Sequence, residues 1–173
     1  MRGGQPRSLT AAQQYLNLRS NPICAGTGTL RAGRLVWRYR ASPTPLSREY
    51  AVRIGYHQGG IPQVFVDDPD LTIIAAGRRL PHVYEQKTSR LCLYLPRAHE
   101  WANWMRIDQT IVPVAVLWLF YVEEWLISDE WKGGGEHPCN ATDSRRDRRL
   151  GRNSVVDTAT AVNPSTDIKG ALA

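Results

Sequence analysis

The sequence predicts an α+β domain: one N-terminal helix, a four-stranded antiparallel meander, an irregular segment, and a long C-terminal helix. Three patterns carry this expectation. Thr10 and Gln13 are spaced to open a helix, residues 34–40 and 50–56 alternate apolar with polar, and residues 111–122 form one apolar run. At 173 residues, with 42% hydrophobic and 22% charged, the chain has room for a real core and a tail.

The elements follow in order. Thr10-Ala11-Ala12-Gln13 is a capping box, and the helix it opens runs to about Arg19 with Leu9, Tyr15 and Leu16 on an apolar side. Asn21-Pro22 stops it, because proline disfavours a helical residue before it. Leu35, Trp37 and Tyr39 alternate with Arg34, Arg38 and Arg40, the pattern of a half-buried strand. After the loop Ser42-Pro43-Thr44-Pro45, Tyr50, Val52, Ile54 and Tyr56 repeat it. Gln58-Gly59-Gly60 turns the chain into a third strand, residues 63–66, which Asp67-Asp68-Pro69 ends. Residues 71–76 are the expected fourth strand. The stretch 77–96 has little regular pattern. The run 111–122 spans 12 residues, short of the roughly 20 that a membrane span needs. It reads as a core helix, with Leu117, Tyr121, Glu124 and Trp125 on one side and Trp118 and Val122 near it.

The domain is expected over residues 8–132, with residues 133–173 as a flexible, Arg-rich tail that begins at Gly133-Gly134-Gly135. The net charge of +6 owes much to Arg145, Arg146, Arg148, Arg149 and Arg152. No nucleic-acid-binding pattern accompanies them, so specific nucleic-acid recognition is not expected. The cysteines are Cys24, Cys92 and Cys139, an odd number without zinc-ligand spacing. They point to a reducing cytoplasm with no metal. The N-terminus lacks the apolar stretch of a signal peptide.

Cys92 is the residue with chemical promise. Leu91, Leu93 and Leu95 fall on alternate positions, so in extended chain they share one face and Cys92 and Tyr94 the other. With the leucines on the core, the thiol faces a surface groove, and Arg90 on its side favours thiolate. Free cysteine is also among the most buried residue types, and the local pattern leaves both roles open.

His82 stands ten residues before Cys92, Leu93 follows it, Trp101 comes next, and the helix begins near residues 108–110. With the element order, this resembles ubiquitin-conjugating enzymes from about Thr10 to Trp131. A narrower likeness lies in Leu91-Cys92-Leu93-Tyr94-Leu95-Pro96, Glu100-Trp101, Trp118-Leu119, Glu124-Trp125 and Trp131-Lys132-Gly133-Gly134-Gly135. These segments look like the small bacterial conjugating-like proteins that accompany cyclic-nucleotide synthases in short type II CBASS antiphage operons.

The resemblance implies a ubiquitin-conjugating-like fold and a thioester at Cys92 with the C-terminus of a partner, a cyclic-nucleotide synthase or a ubiquitin-like protein. It implies no cofactor. The chain has no nucleotide-binding loop, so either a separate activating enzyme supplies the carboxylate or only a stable complex forms. The family histidine is mostly structural, the role His82 inherits. The family's proline and asparagine are here Val83 and Tyr84. That asparagine supports the oxyanion, and losing one such donor costs about 10²–10³ in rate. Tyr84 is the candidate replacement, although members of the bacterial subfamily often lack the asparagine as well. Arg90 is a candidate for electrostatic support. His57, His99 and His137 match no family position, and His137-Pro138 lies after the last helix. The competing readings are a non-catalytic binding module on the same fold and a cysteine hydrolase.

Overall fold

In the computed structural model, which describes residues 6–94 and 100–134, two helices pack on one face of a six-stranded antiparallel sheet. The described residues all fall within the unit Met1–Pro138. The strands are β1 (Gly26–Arg31), β2 (Arg34–Ala41), β3 (Tyr50–His57), β4 (Gln63–Asp68), β5 (Val83–Glu85) and β6 (Arg90–Leu91). They lie in the order β1-β2-β3-β4-β6-β5, so β1 to β4 form a meander and the last two cross over.

The expected capping box forms. Gln13 N–H donates to Thr10 Oγ1 at 3.2 Å, Thr10 N–H donates to Gln13 Oε1 at 2.9 Å, and α1 (Ala11–Ser20) follows. Its buried residues are Ala11, Gln14 and Leu18, whereas Leu16 faces solvent. Strands β2 and β3 bury the expected residues: Leu35, Trp37 and Tyr39 on one, Tyr50, Val52, Ile54 and Tyr56 on the other.

Three strand assignments need correction, the first being that the stretch 77–96, expected to be irregular, carries β5 and β6. Residues 71–76 contain the helical turn α2 (Leu71–Ile74) and no strand. Asp70 caps the turn by accepting the Thr72 N–H at 2.8 Å. The first strand is instead β1, whose Gly-Thr-Gly-Thr sequence offers no apolar alternation. It pairs with β2 through the two-residue turn Ala32-Gly33, both at positive φ (45° and 73°). Gly28 is required by that pairing, since a Cβ there would sit 2.5 Å from the Trp37 ring.

The long helix α3 (Ile107–Ser128) begins at the expected place, and its residues Ile111, Val112, Ala115, Trp118, Leu119, Val122 and Trp125 are buried. That stripe differs from the expected one: Leu117 is half exposed, and only Trp125 of the four forecast residues is fully covered. By length and composition α3 could cross a membrane, yet its buried stripe packs into the core. Gln14 ties α1 to its start, donating to Met105 C=O at 2.7 Å and accepting the Ile107 N–H at 3.0 Å. Glu123 ties its middle to the sheet, accepting from Ser47 Oγ at 2.6 Å and Tyr50 Oη at 2.9 Å. Both polar ties close around buried groups that would otherwise lack partners.

Candidate active site

The loop carrying Cys92 is a narrow excursion between β4 and α3. Strands β5 and β6 pair with each other, β6 pairs with β4 at Phe65↔Arg90, and the Cys92 N–H donates to the His82 carbonyl at 2.9 Å. The ten-residue interval between the two is therefore the length of one closed loop. The turn at its tip folds locally, with Thr88 Oγ1 on Glu85 Oε2 at 2.7 Å and the Gln86 side chain on both backbone groups of Leu80 at 2.9 Å.

Cys92 is half-buried and opens into a cleft of about 270 Å³ whose walls include His82, Tyr94, Glu100, Leu117 and Trp131. The expectation of a groove beside the thiol fits this placement. The leucine argument fits only in part: Leu91 is buried, Leu93 is half-buried and lines the cleft with the cysteine, and Leu95 lies outside the described residues. The reason is that β6 covers only Arg90 and Leu91, so strict alternation stops before Cys92.

The remaining predicted residues divide into two groups. His82 is buried, with its ring stacked on Trp131 at 4.8 Å between centroids. Tyr84 and Arg90 line a neighbouring pocket of about 200 Å³, and Tyr94 borders both spaces. The Arg90 guanidinium lies over the Tyr84 ring at 5.0 Å, and its Nε is buried with no hydrogen-bond partner among the described residues. The guanidinium is thus held against the Tyr84 ring. The Tyr84 phenol is pushed up to about 12, by burial first, then by hydrogen bonding to Cys92 and its charge, against a lowering effect of Arg90. At neutral pH it keeps its proton and can donate.

Tyr94, expected on the same face as Cys92, lines the cleft, whereas sequence reasoning missed the walls made by Trp118, Trp131 and Gly134. Tyr94 is anchored by its hydroxyl to the Pro62 carbonyl at 3.0 Å, and burial raises its phenol further than that of Tyr84. Trp118 donates its indole N–H to the His82 carbonyl at 3.1 Å, and Trp131 and Gly134, beyond the end of α3, line the cleft. The tryptophans were visible as a composition signal, but their convergence on His82 was not. His57 is exposed, with Nδ1 3.0 Å from the Gln58 carbonyl, and His99, His137 and Cys139 lie outside the described residues. Cys24 is buried under α1, its thiol pushed up to about 11 by burial and by Asp108. Among the described residues no cluster of His, Cys, Asp and Glu could hold a metal ion.

A family model described as Type II CBASS E2 protein matches residues 14–138, which include the loop and the cleft. The chain belongs to that family. Membership implies a role in CBASS antiphage defence, a conjugating-type activity, and operon partners such as a nucleotide synthase. No curated protein matches the chain.

Proposed function

We propose that the chain is a conjugating-type acyl carrier whose Cys92 forms a thioester with the C-terminal carboxyl of a partner protein, the nucleotide synthase of its operon. The observation that carries this is the position of Cys92, half-buried at the mouth of a 270 Å³ cleft with its amide held by His82. The Cys92 thiolate attacks the carbonyl carbon of an activated glycine carboxyl, forming C–S as the activating group departs. An amine then attacks the same carbon, C–N forms, the amine loses its proton and the thiolate leaves. The carboxyl arrives activated, as an acyl adenylate or as a thioester on a separate activating enzyme. Tyr84, protonated at neutral pH and close to Cys92, is the group to donate to the oxyanion. Arg90, stacked on Tyr84, supports the charge. His82 serves through its backbone carbonyl. The cytoplasm is the setting this chemistry fits.

Co-expression of the full chain with the neighbouring synthase tests the reading. An adduct should form in wild type, disappear in Cys92→Ala and persist in Cys24→Ala and Cys139→Ala. Hydroxylamine without reductant should release a thioester and spare a disulfide. Phage protection by Cys92→Ala at the wild-type level would overturn the acyl-carrier reading in favour of a binding module.

A further inference from the structure

The loop that carries Cys92 is held from behind by an aromatic stack that the chemistry above does not use. His82 adopts a left-handed backbone conformation (φ 49°), which costs a non-glycine residue about 1 kcal/mol or more and persists only where neighbours enforce it. Its carbonyl, aimed by that conformation, accepts both the Cys92 N–H at 2.9 Å and the Trp118 indole N–H at 3.1 Å. Its imidazole lies on the Trp131 indole, 4.8 Å between centroids with the planes 24° apart. Trp131 in turn packs against Trp118 at 6.1 Å and Tyr121 at 5.8 Å, both on α3.

Gly133 completes the arrangement. A Cβ at that position would lie 2.8–2.9 Å from Nε1, Cε2 and Cζ2 of Trp131, too close for any other residue without moving the ring. The glycine expected to begin a linker therefore packs against the indole, and Gly134 lines the cleft beside Cys92. The Trp131 Nε1 is buried without a hydrogen-bond partner among the described residues, so the ring surface is what the site uses.

We infer that Trp131 is a positioning residue of the Cys92 site. It holds His82 in the conformation that aims its carbonyl at the Cys92 amide, and Gly133 keeps the indole in place. The catalytic consequence rests on the acyl-carrier reading; the geometry can be tested without it.

Hydrogen exchange on the full chain reads the geometry directly. In Trp131→Ala the Cys92 amide and the Trp118 indole N–H should exchange about tenfold faster, while the buried Ile54 amide in β3 keeps its wild-type rate. Trp131→Phe, which keeps a ring to stack and loses no hydrogen bond among the described residues, should restore both. Gly133→Val should repeat the Trp131→Ala pattern, and it decides the matter if Trp131→Ala does not fold. With saturating synthase, Trp131→Ala should slow adduct formation without shifting the half-saturating concentration. Unchanged exchange at Cys92 and Trp118, or acceleration shared equally by Ile54, would overturn the inference. Full phage protection by Cys92→Ala alongside the expected exchange pattern would overturn the acyl-carrier reading and leave the positioning role supported.

Discussion

At the scale of single residues, the site turns on what surrounds Cys92 and Tyr84. The phenol of Tyr84 is raised from its ordinary 10 to about 12, so the fold favours its neutral form. The stability this contributes is fully present below pH 10 and is lost as pH rises toward 12. Tyr84 should therefore act as a donor throughout the physiological range. Tyr84→Phe is expected to slow adduct formation by up to about 10²–10³-fold, the cost of one oxyanion donor. Because the phenol does not titrate below about pH 10, the rates of wild type and Tyr84→Phe should run parallel from pH 6 to 9. A gap that closes within that range would assign the titration to another group and remove Tyr84 from the oxyanion role. Tyr84 was legible in the sequence as the occupant of the asparagine position. Its stacking with Arg90 was not, since that depends on how β5 and β6 cross.

At the scale of elements, the two helices are coupled through one buried amide. Gln14 is fully buried and satisfies the Met105 carbonyl and the Ile107 N–H at the start of α3. Gln14→Ala would leave both backbone groups unpaired, at a cost of about 1–3 kcal/mol. Thr10→Ala removes only a surface cap and should cost about 1 kcal/mol. Urea denaturation should rank the two in that order; equal losses would mean that water replaces Gln14 at no cost. The sequence shows Gln14 as one more polar residue in a weakly amphipathic helix. Its burial follows from the docking of α1 against the start of α3, which no local pattern encodes.

At the scale of the whole molecule, stability should reside in the sheet and its two helices. The core draws on α1, on β2 to β6, and on α3 from Ile107 to Trp125, with Trp131 packed against it. Residues 140–173 have few large apolar side chains to add. Removing them is expected to leave the melting temperature unchanged to within about 1 °C, which corresponds to a few tenths of a kcal/mol. Calorimetry on the truncated chain checks this, and a fall of several degrees would mean that the tail docks on the domain. Truncation at residue 131 is a different experiment, because it removes Gly133 from beside the Trp131 ring and Gly134 from the cleft.

The sequence by itself determined the elements whose signals are local. The capping box of α1, the alternation of β2 and β3 and the apolar mass of α3 each lie within a few residues of one another, whereas the strand expected to stop at residue 66 runs on through Asp67 and Asp68. It also determined the candidate cysteine and its ten-residue distance from His82, the span of one closed loop. Tertiary structure decided what depends on neighbours distant in the chain. Strand β1 exists because glycines let it approach Trp37, and the turn at residues 71–74 is helical because Asp70 caps it. The cleft around Cys92 draws its walls from Glu100, from α3 and from residues 131–134. Backbone periodicity and caps act along the chain and are written in it. Stacking, like-sided burial and the pairing of buried polar groups act across it, and they take their form only when the elements pack.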